Sequence, residues 1–233
     1  MRPANRGGMQ TALITGASRG LGRALTDALS TAGWRVVIDA RSASDLHTAA
    51  TTWSGAVALP GDVTDEQHLR ELAAAAGDRL DLLVLNASSL GQTPLPSLAD
   101  YRSVELRAVL ETNTIAPLRL VQLALPALRA AGGRVLAISS DAAVADYPGW
   151  GGYGASKAAL DQLMHVLAAE EPGLHVYAVD PGDMRTQMQA EAFPGEDISD
   201  RPEPEDVVPA LRRLLDAGLP SGRYVAADLP VTP

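Results

Sequence analysis

The sequence predicts an α/β fold: a doubly wound, mostly parallel seven-stranded sheet with helices on both faces. Two observations predict it. Short apolar segments alternate with helical segments along the chain, and a glycine-rich turn follows the first apolar segment. Strands joined through helices form right-handed βαβ units. Because 233 residues are typical of one such domain, we expect a single domain over 10–233 after a flexible N-terminus at 1–9.

The predicted strands are apolar runs that end at polar or glycine residues: Thr11–Gly16, Val36–Ile38, Ala56–Leu59, Leu82–Leu85, Arg134–Ser139, Val176–Val179 and Gly222–Ala227. Helical patterns cover Leu21–Ala32, a polar stretch ending at Trp53, Asp65–Ala76, Leu98–Ala131, Tyr153–Glu170 and Pro204–Ala217. We expect Pro117 to kink or divide the longest of these, because proline lacks an amide N–H and clashes with the preceding turn. Residues 181–201 are predicted to be a long loop with one short helix.

Composition excludes several classes of function. The net charge is −9, the pI is about 4.9 and no run of basic residues exists, so we expect neither nucleic acid nor an anionic membrane as a partner. With no cysteine and four scattered histidines, we expect no metal site. No apolar run is long enough to span a membrane or act as a signal peptide, which predicts a cytoplasmic protein.

The turn after the first strand is the first candidate site. It reads Thr-Gly-Ala-Ser-Arg-Gly-Leu-Gly over 15–22, with glycines between a strand and a helix. Backbone amides and the helix dipole can hold a pyrophosphate there when side chains are absent. A tight turn without a ligand is the alternative. The position in the first βαβ unit favours a dinucleotide.

The end of the second strand bears on the choice of cofactor. Asp39 mildly favours NAD, because a carboxylate there can accept hydrogen bonds from the adenine ribose. Arg41, aided by Arg19 in the glycine turn, more strongly favours NADP(H), because arginine pairs with a 2′-phosphate. A solvated charge is the alternative reading of Arg41.

A third group of residues carries acid/base chemistry. Tyr153 and Lys157 are four apart, so on a helix they share a face. A nearby ammonium lowers the pKa of a tyrosine from about 10, which would make Tyr153 an acid/base at neutral pH. Ser140 would hold the substrate oxygen, with Ser139 as the competing serine. A chance Tyr–Lys spacing is the alternative, but Lys157 is the only lysine in the chain.

These motifs resemble the short-chain dehydrogenase/reductase family in its short, single-domain form, over nearly the whole chain. The resemblance implies a Rossmann fold and an NAD(P)-dependent oxidoreductase. In that family the acidic residue typical of NAD use stands where this chain has Ala40, and the following Arg41 is similar to the pattern of NADP users. The family's Asn-Ala-Gly signature begins at Asn86 and Ala87 but departs at Ser88, where we expect a somewhat different loop.

The resemblance also implies roles for individual residues. It adds Asn113 to the catalytic set of Ser140, Tyr153 and Lys157, as support for a water link to the lysine. It implies that Lys157 binds the nicotinamide ribose and that Asp62 and Val63 contact the adenine. With the glycine turn, the predicted cofactor contacts are Gly16, Ser18, Arg19, Gly20, Leu21, Gly22, Arg41, Asp62, Val63, Asn86, Ala87, Tyr153, Lys157, Pro181, Gly182, Met184 and Thr186.

The sequence therefore predicts an NADP(H)-dependent oxidoreductase that moves a hydride between the nicotinamide and a ketone or secondary alcohol. Two alternatives stay open: a catalytically silent NADP(H)-binding sensor, and an epimerase or dehydratase of the same superfamily. The substrate is expected to be a small molecule. Tyr147 and Trp150 are candidates for its pocket or, equally, for the protein surface. The resemblance implies a homodimer or homotetramer formed through the long helices.

Overall fold

The computed structural model describes residues 9–229 and contains one seven-stranded sheet whose paired strands are all parallel. The predicted fold class is confirmed. The predicted flexible segment lies, apart from Met9, outside the described residues. The strands are β1 (Thr11–Ile14), β2 (Arg35–Ala40), β3 (Val57–Pro60), β4 (Leu82–Leu85), β5 (Arg134–Ile138), β6 (His175–Asp180) and β7 (Gly222–Val225).

Eight α-helices connect the strands within residues 9–229: α1 (Gly20–Thr31), α2 (Ala43–Ala50), α3 (Glu66–Ala76), α4 (Ser103–Leu110), α5 (Ala116–Ala131), α6 (Gly151–Glu170), α7 (Gln187–Ala192) and α8 (Pro204–Ala217). Local signals set several of their starts. Asp65 caps α3 by accepting a hydrogen bond from the Gln67 amide, and Ser42 caps α2 in the same way. The short helix in the loop after β6 was predicted, and it corresponds to α7.

Helices cover both faces of the sheet, because successive strand residues point to opposite sides. On one face, Ile14 and Ile38 pack in a buried cluster with Leu25 of α1 and Leu211 of α8. On the other, Leu13, Val37 and Leu83 pack with Leu69 of α3, Leu120 of α5 and Leu160 of α6. Full burial of each such side chain contributes roughly 1.5–3 kcal/mol, so these two layers hold the sheet rigidly.

The strand order is β3-β2-β1-β4-β5-β6-β7, and it reverses direction between β1 and β4. Loops that leave neighbouring strands at this point run to opposite faces and open a crevice at the carboxyl ends of the strands. The glycine turn after β1 and the loop after β4 border this crevice directly. The fold therefore brings the predicted motifs to one edge of the sheet.

The prediction of one helical stretch from Leu98 to Ala131, broken at Pro117, is wrong in two respects. The helix begins at Ser103, and Leu98 is 75% exposed in the preceding connection. The interruption is a π-helical turn at Glu111–Ile115, which lies before the proline. Pro117 sits in the first turn of α5, where its missing N–H leaves no intrahelical hydrogen bond unmade.

Over residues 9–229, no helix has both the length and the apolar character needed to cross a membrane.

Candidate active site

Three positions of the turn at 15–22 favour glycine, two by their backbone conformation and one by close packing. Gly16 and Gly20 have φ angles of +69° and +56°, which favour glycine. A Cβ on Gly22 would lie 2.4 Å from the Gly16 carbonyl oxygen and 2.5 Å from Asn86 Nδ2. Helix α1 therefore starts in direct contact with the ends of β1 and β4. Arg19 stands at its N-cap and makes no side-chain capping hydrogen bond, so the first-turn amides remain available to an anion.

Asn86 fixes this turn from the neighbouring strand. Its Nδ2 donates hydrogen bonds to the carbonyl oxygens of Thr15 and Gly16, at 2.8 and 3.1 Å. The Thr15 hydroxyl in turn accepts hydrogen bonds from the amides of Asn86 and Ala87. The side chain predicted from the Asn-Ala motif thus acts on the shape of the glycine turn.

Asp39 borders the crevice, but its carboxylate is held inside the protein, and its interpretation as a sign of NAD use stays a prediction. Its side chain is 1% exposed. Oδ1 accepts a hydrogen bond from the Gly16 amide at 2.8 Å, and Oδ2 lies 3.1 Å from Nε2 of His68. Both carboxylate oxygens are therefore engaged inside the protein.

A crevice of about 1230 Å³ runs from the end of β2 past the glycine turn to α6 and the loop after β6. Its volume suits an extended ligand and a second small molecule together. Arg41 is exposed at its β2 end, and the Arg19 guanidinium reaches Gln187 of α7 across the entrance. The predicted cofactor residues that line it are Gly16, Ser18, Arg19, Gly20, Leu21, Arg41, Val63, Asn86, Ala87, Tyr153, Lys157, Pro181, Gly182, Met184 and Thr186.

Two predicted cofactor residues do not line the crevice. Gly22 lies beneath the turn, where it permits the close approach of α1. Asp62 turns its carboxylate to its own loop, because Oδ1 accepts hydrogen bonds from the amide and the hydroxyl of Thr64. Its neighbours Gly61 and Val63 border the crevice in its place.

The predicted Ser–Tyr–Lys group comes together at the other end of the crevice. Ser140 follows β5, while Tyr153 and Lys157 lie on the first turns of α6. Both α6 side chains are buried, and all three residues line the crevice. Ser139 also borders it but is buried to 2% exposure, with a hydroxyl that has no hydrogen-bond partner. The geometry favours Ser140 over Ser139.

The expected lowering of the tyrosine pKa is wrong for this structure. Burial raises the pKa of Tyr153 to about 12, and hydrogen bonds with Ser88 and Ser140 only partly oppose the rise. The ammonium of Lys157 instead donates a 2.7 Å hydrogen bond to the Ile138 carbonyl and lies 5.5 Å from the tyrosine ring centroid. Because Tyr153 is protonated at neutral pH, it is equipped to donate a proton.

Lys157 itself is fully enclosed. Burial lowers the pKa of its ammonium to about 8, and the carboxylate of Asp161 one turn further along α6 opposes that fall. Among residues 9–229, the lysine ammonium donates its hydrogen bond to the Ile138 carbonyl. The ammonium is therefore mostly protonated at pH 7, about one pH unit below its pKa.

Asn113 lies behind the crevice and not in its lining. It sits in the π-helical turn, and its side-chain oxygen accepts hydrogen bonds from the Ser88 hydroxyl and the Ser89 amide. Its Nδ2 donates to the Ser89 carbonyl and to the hydroxyl of Ser156 on α6. Asn113 thus ties the loop after β4 to the helix that carries Tyr153 and Lys157.

Three further residues contact the Ser–Tyr–Lys group; Asp141 was expected only to frame the substrate pocket, and Arg223 was not predicted from the sequence. Ser88, noted only as a departure from the family's glycine, donates a hydrogen bond to the side-chain oxygen of Asn113 and lowers the pKa of Tyr153 in part. Asp141 accepts hydrogen bonds from the hydroxyls of Ser140 and Tyr147. Arg223 of β7 donates to the Ser140 carbonyl.

Arg223 is also part of a partly buried ion-pair group. It donates a 3.0 Å hydrogen bond to the Asp161 carboxylate and lies 3.7 Å from the carboxylate of Asp180. Its third contact, to the carbonyl of Ser140, also measures 3.0 Å. A strand that is remote in sequence therefore holds the backbone of the serine in place.

The wall beside Tyr153 is apolar. Trp150 packs edge-on against Tyr153, with ring centroids 5.7 Å apart. Its ring also makes a tilted contact with Phe193, at a centroid distance of 5.8 Å. Leu90 and Met188 complete this surface. Within residues 9–229, no group of three or more His, Asp or Glu side chains could hold a metal ion.

This strand order, with a glycine-rich turn at the switch point, defines a Rossmann-like α/β protein. The family model for short chain dehydrogenases matches residues 10–197. The chain therefore belongs to the short chain dehydrogenase family, whose members are oxidoreductases.

Individual relatives agree with this assignment. The rhamnolipids biosynthesis 3-oxoacyl-[acyl-carrier-protein] reductase of Pseudomonas aeruginosa is 35% identical over 191 residues, which cover 76% of this chain and 73% of the relative. The structure of a short-chain dehydrogenase from Streptomyces avermitilis superposes with a TM-score of 0.83 at 30% identity, covering 96% of this chain and 91% of that one. An alcohol dehydrogenase from Thermococcus sibiricus, in complex with 5-hydroxy-NADP, has a TM-score of 0.82 at 25% identity, covering 94% and 96%.

The depressed pKa of Lys157 predicts a pH-dependent contribution to stability. Between pH 8 and about 10.5 the unfolded chain holds the lysine proton while the folded protein releases it, so folding becomes more favourable as pH rises. We expect wild type to gain stability relative to Lys157→Met, by on the order of 1 kcal/mol per pH unit, from pH 8 to 10. Urea unfolding at each pH measures the difference.

Arg70→Met is the control, because arginine does not titrate in this range. Its stability difference from wild type should not change with pH. The lost hydrogen bond to Ile138 adds a constant to the Lys157→Met difference and does not mimic the effect. A difference that stays flat from pH 8 to 10 would contradict the burial-depressed pKa.

Proposed function

We propose that this protein is an NADP(H)-dependent oxidoreductase that transfers a hydride between the nicotinamide and a ketone or secondary alcohol. The observation that carries the proposal is the convergence of Ser140, Tyr153 and Lys157 in the same crevice as the glycine turn. A buried phenol that holds its proton at neutral pH, beside a serine hydroxyl, can donate that proton to a carbonyl oxygen. A protein of this fold that used no nicotinamide cofactor would not need these three side chains next to a glycine turn.

The residues fit an anionic dinucleotide. The amides at the start of α1 point to the crevice, and Gly16 and Gly20 let a phosphate approach them closely. Lys157 would bind the nicotinamide ribose, and the loop at Pro181 and Gly182 would seat the ring. When bound, the cofactor supplies or accepts the hydride.

The side chains of this chain handle the proton and the substrate oxygen. In the direction of reduction, Ser140 donates a hydrogen bond to the carbonyl oxygen as negative charge develops there. Tyr153 gives its proton to the same oxygen. The Lys157 ammonium stabilises the tyrosinate that remains, and Asn113 holds the loop and helix that frame the group.

Arg41 supports the choice of NADP(H) over NAD(H). Arg41 follows β2 directly and is exposed at the crevice. The preceding residue is Ala40, so no carboxylate stands at the position next to it. Asp39, the carboxylate that would favour NAD, is turned inward. A guanidinium at this place can pair with a 2′-phosphate through two hydrogen bonds.

The relatives support the substrate class. A 3-oxoacyl-[acyl-carrier-protein] reductase and an alcohol dehydrogenase act on a carbonyl and an alcohol respectively. The apolar wall of Trp150 and Phe193 suits a substrate with an apolar group next to the reacting carbon. The proposed substrate is therefore a small, largely uncharged ketone or its alcohol.

Self-association and a cytoplasmic location remain predictions. Self-association is supported by three exposed apolar side chains: Val104 on α4, Ile115 on the π-helical turn and Val166 on α6. Apolar residues of this kind at a helical surface suit a contact with a second copy of the chain.

Replacing the proposed acid tests the function directly. We expect wild type to consume NADPH in the presence of at least one member of a panel of small ketones, and Tyr153→Phe to lose about 100-fold or more of kcat. Cofactor affinity should stay close to the wild-type value. The change in absorbance at 340 nm measures turnover.

Tyr224→Phe is the matched control, because its hydroxyl bonds to the Pro220 carbonyl away from the crevice. It should retain wild-type turnover. If the wild type binds NADPH but reduces no ketone and oxidises no alcohol, the sensor alternative replaces the proposed function.

The cofactor preference is tested at Arg41. Arg41→Ala should weaken NADPH binding by about 10- to 100-fold, the usual effect of losing hydrogen bonds to a charged group, and leave NADH binding nearly unchanged. Arg102→Ala, an exposed arginine that pairs with Glu105, is the control. Unchanged NADPH affinity in Arg41→Ala would overturn the assignment of NADP(H).

A further inference from the structure

A buried histidine–carboxylate pair lies directly beneath the glycine turn, and the proposed reaction does not use it. Asp39 is at the carboxyl end of β2 and His68 is in the first turn of α3. Their side chains are 1% and 6% exposed, and Nε2 of His68 lies 3.1 Å from Oδ2 of Asp39. An ionisable pair this deeply buried is costly to keep unless its charges and hydrogen bonds are matched.

Asp39 anchors the start of the glycine turn twice. Its side-chain Oδ1 accepts a hydrogen bond from the Gly16 amide, and its main-chain oxygen accepts one from the Ala17 amide, each at 2.8 Å. Gly16 has a φ of +69°. The conformation of the turn that would receive the pyrophosphate thus depends on where the Asp39 carboxylate sits.

His68 reaches a second loop of the crevice. Gly61 follows β3, donates its amide to the Ala40 carbonyl and borders the crevice next to Val63. A Cβ on Gly61 would lie 2.3 Å from Nδ1 of His68, so the imidazole packs directly on this glycine's backbone. One ring therefore contacts both the carboxylate that holds the glycine turn and the loop on the adenine side.

We propose that the His68–Asp39 pair positions these two loops for the cofactor and couples cofactor affinity to the protonation of His68. The inference rests on the proposed binding of a dinucleotide. A buried carboxylate 2.8 Å from the Gly16 amide opposes the binding of an anion to the same turn, unless a cation neutralises it. Protonated His68 is that cation.

The surroundings of His68 favour its charged form. The hydrogen bond to Asp39 raises the pKa of His68 above its usual value, although burial opposes this, and the nearby carboxylates of Asp65 and Glu71 add to the rise. Among the elements packed on α3, β1 has no charged residue, and Arg35 of β2 bonds to carbonyls at the far end of the helix.

The third packed element, α5, also leaves the ring without a competing cation. Its Arg119 pairs with Glu66, and its Arg129 pairs with Glu171. Asp39 is therefore the charged group that contacts the imidazole directly. As the pH rises through the pKa of His68 the ring becomes neutral, the carboxylate loses its counter-charge, and binding of the anionic cofactor weakens.

The test compares the dissociation constant of NADPH for wild type and His68→Gln from pH 6 to pH 9. Glutamine keeps a donor near the Nε2 position but does not titrate. We expect the variant to bind NADPH about 5- to 10-fold more weakly than wild type at pH 6, and the ratio to approach a smaller constant value at pH 9. Taking the ratio at each pH removes the titration of the cofactor itself.

His165→Gln is the matched control, because His165 is an exposed histidine on α6. Its ratio to wild type should stay near one at every pH. A His68→Gln ratio that does not change with pH would overturn the coupling while leaving the proposed function intact. A wild type that binds neither NADPH nor NADH would overturn the proposed function, and the coupling with it.

A measurement on the wild type keeps the inference testable if the variant does not fold. Linkage is reciprocal, so NADPH should move the NMR titration of the His68 ring to higher pH, by up to about one unit for a tenfold coupling. The ring of His165 should titrate at the same pH with and without NADPH. An unshifted His68 titration, in protein saturated with NADPH, would overturn the proposal.

Discussion

The close approach of α1 to the ends of β1 and β4 is the constraint on which the rest of the site depends. Gly22 lies so near the Gly16 carbonyl and the Asn86 amide that a methyl group could not be placed between them. This contact aims the amides of the first helical turn into the crevice and fixes its floor. The remaining loops at the carboxyl ends of the strands are arranged around that floor.

Buried polar groups then set the chemistry at each end of the crevice. At the end that holds Tyr153 and Lys157, burial keeps the tyrosine proton on its oxygen and destabilises the charge on the lysine. The main-chain carbonyl of Ile138 offsets part of this cost by accepting a hydrogen bond from the lysine ammonium. At the cofactor end, Asp39 holds the turn from below.

Much of this could be predicted from the sequence because the signals are local. Apolar runs, helical periods and glycines at fixed offsets predicted all seven strands and placed Ser140, Tyr153 and Lys157 at one edge of the sheet.

The π-helical turn at Glu111–Ile115 could not be predicted, since an extra residue in a helix has no distinct pattern. The burial of Asp39 was equally hidden, because an aspartate at a strand end has the same appearance in sequence whether it faces solvent or a histidine 29 positions away. Arg223 shows the same limit, as its partners lie on other elements.

The central claim is the direct transfer of a hydride within the crevice. It is tested most directly by reducing a ketone in ordinary water with NADPH that carries deuterium at both C4 positions of the nicotinamide, so that either face delivers the label. Mass spectrometry and NMR of the alcohol should find one deuterium on the carbon that bears the hydroxyl, with none there when unlabelled NADPH is used in D2O. An alcohol that carries solvent deuterium on that carbon, and none from the cofactor, would contradict the account.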